Sequence, residues 1–375
     1  MMNVPRYPVA GTRGVVATPH YLASEAGLRV LQDGGNAIDA AIAANAVLGV
    51  VEPGMCGIGG DLFMLIHSAA KGKLMALNAS GRSPYGVDLE WFRQRGIEKM
   101  PLTGPFTVSV PGVVDGWVTV TQQLGTRPLS QLLAPAIQYA EEGFPVRRHL
   151  WEGIEHAKAL LASHPVSAAA FLPAGEVPGM GRVVRNPALA ASLREVASGG
   201  RQAVYEGGPL GKAILATAER HGWPLSQRDL ADQRAEWVEP ISIDYRGYTI
   251  YELPPPNQGM AVLMTLKAVE GFDLRRLGAG NPEATHLQVE AKKAAFQVRN
   301  RHCADPAFYQ APMAEFLSES YAAKLRSGIN PGHATGVVVA GATGASKNDG
   351  DTIYLCTADG QGNCVSLIQS NYAAW

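Results

Sequence analysis

Apolar positions along the chain fall into stretches with helical spacing and shorter stretches with strand spacing. Residues 14–18, GVVAT, predict a short strand. HYLASEAGLRVLQDGG then predicts a helix, with Leu22, Ala26, Leu28 and Val30 marking its apolar faces and a Gly-Gly stop. NAIDAAIAANAVLGVV predicts a second helix, with Asn36 at its N-cap and Asp39 in its first turn. Its alanine-rich surface suits close packing, so it should be buried. EPGMCGIGGD follows as a tight, irregular loop, and DLFMLIH and GKLMALNAS predict two paired strands. Two helices followed by two strands disfavour a parallel, doubly wound sheet.

The middle of the chain is helical. LSQLLAPAIQYAEEGF, NPALAASLREVASGG and GPLGKAILATAERHG carry helical spacing with glycine at their ends. ISIDYRGYTIYELPPPNQG predicts a hairpin turning at YRGY, and GMAVLMTLKAVEGF and ATHLQVEAKKAAFQVRNRHCAD predict two further helices. HATGVVVAGATGASKNDGD is poor in large side chains and predicts a flexible linker, placed at 337–351.

TIYLCTA and NCVSLIQS flank the turn DGQG, which predicts a closing hairpin over 352–370. Ile353, Leu355, Val365 and Leu367 are apolar and should share the buried face, which selects the register pairing Leu355 with Leu367. That register sets Thr352 opposite Ser370, with Cβ atoms ~4.5–5.5 Å apart. It makes Cys356 and Cys364 diagonal neighbours at ~7–8 Å, long for a disulfide.

Composition narrows the partners. Formal net charge is −1 and hydrophobic content is 46%, which gives a sizeable core and neither a nucleic-acid footprint nor a polybasic membrane anchor. The four cysteines, Cys56, Cys303, Cys356 and Cys364, have no metal-binding spacing. His302, Cys303 and Asp305 cluster in sequence without a further ligand to complete a site. The start, MMNVPRYPVAGTRGVV, has no apolar core of signal-peptide length. The longest apolar run, AIDAAIAANAVLGVV, is interrupted by Asp39 and Asn45 and is too short to span a bilayer. The expected location is therefore the cytoplasm, or the periplasm or outside if a leader precedes this sequence.

A threonine that opens a strand after a flexible linker has a chemical use. From the hairpin alone Thr352 and Ser370 are ordinary strand residues. If the Asp351–Thr352 bond is cut, however, Thr352 gains an α-amine with an unperturbed pKa of roughly 7.7–8.0. That amine can take the proton of the residue's own hydroxyl, so nucleophile and base belong to one residue. The cut can be self-catalysed, by attack of the Thr352 hydroxyl on the preceding carbonyl and opening of the ester by water.

GVVATPHYLASEAGLRVLQDGGNAIDAAIAA, EPGMCGIGGDLFMLI, NASGRSP, SVPGVVDGW and DTIYLCTADGQGNCVSLIQSNY occur in that order. Together they resemble the γ-glutamyltranspeptidase family of N-terminal-nucleophile hydrolases, from about Gly14 to the end. The resemblance implies an α+β fold, an αββα sandwich, made as a proenzyme that cuts itself between Asp351 and Thr352. Residues 1–351 would be large-subunit-like and 352–375 the start of the small subunit. It implies Thr352 as nucleophile, Ser370 as the supporting hydroxyl, Arg82 as the partner of the substrate's α-carboxylate and Asn371 as a further substrate contact, displaced by one residue from the family's pattern. GGNAIDA, CGIGGD, Asp61 and His67 are read as structural. The rest of the family's small subunit, with its serine pair and its oxyanion-hole glycines, has no counterpart before Trp375. The expectation is therefore a truncated chain that turns over poorly.

The implied activity is transfer of a γ-glutamyl group from a glutathione-like amide to water or an amine, with no cofactor and no metal. The partners would be a small-molecule amide and the two subunits of one precursor, with a homo-oligomer left open and neither nucleic acid nor membrane. Two alternatives stand beside it. One is an acylase or amidohydrolase of the same family acting on oxamate or a glutaryl amide. The other is an inactive, binding homologue.

Overall fold

The computed structural model describes residues 8–101, 103–336 and 352–372. The predicted linker at 337–351, Asp351 included, lies outside them. The chain forms two compact units, 1–236 with 347–375, and 237–346.

The first unit is built on an antiparallel sheet. Its strands are β1 (Gly14–Ala17), β2 (Phe63–Ser68), β3 (Lys73–Asn78), β4 (Ile353–Asp359) and β5 (Cys364–Gln369). They lie in the spatial order β1-β4-β5-β2-β3, and a short strand beginning at Glu236 flanks β3. The C-terminal hairpin thus sits between two N-terminal strands. Leu355 pairs with Leu367, as the alternation requires, and Leu367 pairs with Met64, which pairs with Leu77. These four are fully buried on one face, while Tyr354 and Ile368 point to the other and stay exposed.

Helices α1 (Tyr21–Gln32) and α2 (Ala37–Val51) pack together, and α2 lies against β4 and β5. Every residue of α2 except Gly49 is buried. Alanine permits this depth, because a small side chain lets the helix axis approach the sheet. The N-terminus of α2 carries the predicted cap as a full capping box. Asn36 Oδ1 accepts from Asp39 N at 2.9 Å, and Asp39 Oδ2 accepts from Asn36 N at 3.0 Å. Asp39 also accepts from Thr126 N at 3.0 Å and from the Thr126 hydroxyl at 2.5 Å. The same helix end is tied to the hairpin: Ala37 N donates to Asp359 Oδ2 at 3.0 Å and the Thr357 hydroxyl donates to Ala37 O at 2.6 Å.

Helix α3 (Val113–Leu124) is rich in valine and threonine and was not assigned from sequence. Tertiary contacts override local preference there. Asp115 N donates to the Tyr205 hydroxyl, which donates to Pro111 O. The Asp115 carboxylate, buried, is paired with Arg201. The 16-residue helix Arg148–Ser163 was likewise not assigned from sequence.

In the second unit, strands Ile241–Tyr245 and Tyr248–Glu252 form the predicted hairpin, turning at Arg246 and Gly247, both with positive φ. Helices Gly259–Glu270 and Pro282–His302 cover an apolar cluster that includes Met260, Met264, Ala295 and Phe316. No helix among the described residues is long and apolar enough to cross a membrane.

Replacing Asp39 by Ala leaves the Thr126 N–H and hydroxyl and the Asn36 N–H without their buried acceptor. The Asp39→Ala chain should lose roughly 3 kcal/mol of stability, read as a lower midpoint in urea unfolding.

Candidate active site

The two hydroxyls that the register sets opposite each other do meet. Thr352 Oγ1 donates to Ser370 Oγ at 3.0 Å at the open end of the β4–β5 hairpin. Ser370 Oγ also accepts from Tyr372 N at 2.8 Å, and Tyr372 reaches that position in a left-handed conformation, φ 83°. Two donors then occupy the lone pairs of the Ser370 oxygen. The Thr352 hydroxyl proton is thereby directed along a fixed line.

The Ser370 main chain is held on its other edge. Its N–H donates to Asp61 Oδ1 at 2.9 Å, and its carbonyl accepts from Asp61 N at 3.1 Å. Asp61 was read as structural from sequence; the structure puts its carboxylate directly on Ser370. The missing signal was the pairing of β5 with β2. Ile368 pairs with Phe63, and continuing that register places Ser370 opposite Asp61. Hairpin reasoning alone could not find a partner some 300 residues away.

The segment before Ser370 is anchored in the core. Gln369 is buried, and its Nε2 donates to Gly57 O at 2.8 Å. Asn45 of α2 donates to Gln369 Oε1 at 3.2 Å, and Trp117 of α3 donates to Asn45 Oδ1 at 2.7 Å. Asn371 N donates to Met55 O at 3.2 Å. The Asn371 side-chain amide lies 3.4 Å from where a Cβ on Gly57 would sit, packed against the glycine loop.

Three glycines from three sequence motifs bring this junction together. A Cβ on Gly60 would collide with the Ser370 carbonyl, one on Gly112 with the Ala79 carbonyl, and one on Gly81 with the Val110 carbonyl. Gly60 O in turn accepts from Gly112 N at 3.0 Å and Val113 N at 3.1 Å, at the start of α3. CGIGGD, NASGRSP, SVPGVVDGW and the SNY end of the hairpin are therefore one packed backbone site.

Arg82 belongs to that junction through its carbonyl, which accepts from Val110 N at 2.9 Å. Its guanidinium donates to Glu236 Oε1 at 3.2 Å, with both side chains about half exposed. An exposed pair of this kind contributes no more than about 1 kcal/mol, so Arg82 can exchange Glu236 for another carboxylate at little cost.

The remaining sequence candidates lie elsewhere. His67 is exposed and bonded to Gly362 O at 3.0 Å, at the turn end of the hairpin. His302 contacts the Tyr309 hydroxyl, and the Cys303 thiol contacts the Pro256 and Asn257 carbonyls. Cys356 and Cys364 are free thiols.

Residues 23–375 match the family model described as gamma-glutamyltranspeptidase. The chain belongs to the gamma-glutamyltranspeptidase family. It is 39% identical to the "Glutathione hydrolase-like YwrD proenzyme" of Bacillus subtilis (strain 168), over 97% of this chain and 68% of that protein. It is also 39% identical to the "Acylase ACY 1 proenzyme" of Pseudomonas sp. (strain SE83), over 97% and 66%. Among solved structures, cephalosporin acylase from Bacillus halodurans aligns with a TM-score of 0.86 and 38% identity, covering 100% of this chain and 70% of that one. Helicobacter pylori gamma-glutamyltranspeptidase aligns with a TM-score of 0.82 and 31% identity, covering 88% and 95%. The chain thus spans about two thirds of the length of these curated family relatives. The fold is α+β, of the N-terminal-nucleophile hydrolase type.

Two measurements follow from the junction. Gly60→Ala should push the Ser370 carbonyl aside and slow any reaction of Thr352 by about 100-fold. Gly59→Ala, with open space around its Cβ, should leave the rate unchanged in the same assay. The second measurement concerns Asp61. Burial raises its carboxyl from 3.8 to about 6, against the lowering effect of the Ser370 N–H and its own N–H. The folded state therefore binds this proton more tightly than the unfolded state. Between about pH 4 and pH 6 this group's contribution to stability falls as pH rises. Asp61→Asn should raise the melting temperature at pH 8, and the advantage should vanish near pH 4.

Proposed function

We propose that this chain is the larger part of an autoprocessing proenzyme whose nucleophile is Thr352. The observation that carries the reading is the Thr352–Ser370 hydroxyl contact at 3.0 Å at the mouth of the sheet. In the first step the Thr352 hydroxyl attacks the Asp351 carbonyl carbon. The hydroxyl proton passes to the Thr352 nitrogen, the Asp351–Thr352 C–N bond breaks, and the amine leaves as an ester forms. Water then opens the ester, leaving an Asp351 carboxylate and a free Thr352 hydroxyl and α-amine. Residues 1–351 become one subunit, and Thr352 begins the other.

In turnover the α-amine takes the hydroxyl proton as Oγ1 attacks a substrate amide carbonyl. The departing amine receives that proton and an acyl ester remains on Thr352. Water, or an amine acceptor, releases the acyl group. Ser370 serves by orienting the nucleophile, and Arg82 by exchanging Glu236 for a carboxylate on the acyl group, held by its planar fork. Asn371, which follows Ser370 in the chain, serves in this reading as a further substrate contact. The preferred donor is a γ-glutamyl amide of the glutathione type.

A second substrate reading has its own support. The Asn371 amide is packed against the Gly57–Gly60 loop, and relatives named as an acylase and an oxamate amidohydrolase are 39% and 34% identical. A glutaryl amide or oxamate would still present a carboxylate to Arg82.

The test uses the longest reading frame that contains this chain. Intact-mass spectrometry should find two chains meeting between Asp351 and Thr352, and a single chain for Thr352→Ala. Initial rates on γ-glutamyl-p-nitroanilide, glutaryl-p-nitroanilide and oxamate then rank the donors. Arg82→Ala should raise KM for the preferred one by at least ~10-fold.

A further inference from the structure

Thr352, Ser370 and Asp61 occupy successive positions in one row across β4, β5 and the residue leading into β2. Thr352 touches Ser370 through its hydroxyl, and Ser370 touches Asp61 through both of its main-chain polar groups. A main chain clamped at N–H and C=O has little freedom to translate. The Ser370 hydroxyl is then placed by its own Cα and by the Tyr372 N–H. Thr352, at the start of its strand, has its hydroxyl aimed by that oxygen.

We propose that Asp61 is a positioning residue for the nucleophile: its carboxylate fixes the Ser370 main chain, and through it the hydroxyl to which Thr352 donates. The inference rests on Thr352 being the nucleophile. The acceptor role needs an oxygen at the Oδ1 position, which Asn also supplies. The ionised group opposes folding near neutral pH, because burial holds the carboxyl near 6. Reacting atoms that shift by ~1 Å lose about 100-fold in rate, so an unclamped Ser370 should be costly to chemistry and not to substrate affinity.

The experiment compares wild type, Asp61→Ala, Asp61→Asn and Thr352→Ala, each as the full reading frame. Precursors are made by cell-free translation, and self-cleavage is followed by intact mass. The cut enzymes are assayed on γ-glutamyl-p-nitroanilide and glutaryl-p-nitroanilide, and melting temperatures show that each variant is folded. Asp61→Ala is expected to slow self-cleavage and kcat by about 10–100-fold, with KM within about twofold, while Asp61→Asn restores both rates to within about threefold. If Asp61→Ala remains uncut, an Asn variant that cuts normally gives the same support. Wild-type rates in Asp61→Ala, a loss confined to KM, or equal losses in the Ala and Asn variants would each overturn the positioning role. A Thr352→Ala precursor that still cuts would instead overturn the nucleophile reading. An inert Thr352→Ala beside an unaffected Asp61→Ala removes Asp61 alone.

Discussion

Strand β5 is hydrogen-bonded along both edges, to β4 on one side and to β2 on the other, and its alternation puts Val365, Leu367 and Gln369 against the buried helix α2. A slip of one residue on either edge would turn these three outward and bring Ser366 and Ile368 into the core. The same slip would carry Ser370 away from both Thr352 and Asp61. Apolar packing of the sheet and alignment of the candidate site are therefore set by one register.

Glycine then decides how close the surrounding backbone can come. Gly60, Gly81 and Gly112 allow carbonyls from the hairpin end, from residue 110 and from residue 79 to occupy space that any side chain would fill. The contacts are made by main chain, so they are short and directional. Deeper in, the polar chain from Trp117 through Asn45 and Gln369 to the Gly57 carbonyl satisfies its buried groups in sequence. Buried polar atoms with this many defined partners specify one arrangement of the loop.

Much of this was legible in the residues. The Asn36 cap, the alanine-rich buried helix and the Leu355–Leu367 register follow from local pattern, and the Thr352–Ser370 contact follows from that register. Asp61 was not legible, because its role depends on which strand lies on the far side of β5, and no local periodicity encodes a pairing between residues 61 and 370. Helix α3 escaped for a related reason: its valines and threonines are weak helix formers, and its start is fixed by Gly60, Tyr205 and Arg201 from elsewhere in the chain.

The placement of the hairpin between β1 and β2 also orders events in time. The strands on either side belong to the first 70 residues, whereas the hairpin is synthesised some 290 residues later. The edges of β1 and β2 that face the hairpin in the finished sheet lack those partners until it is made, a gap still to be filled. Closing that gap requires a loop of nearly the whole chain, a slow, non-local step. Ser370 and Asp61 come together only when it is complete. The proposed scission at Thr352 would accordingly act as a receipt for finished folding, because a precursor with an empty central slot lacks the geometry to cut itself.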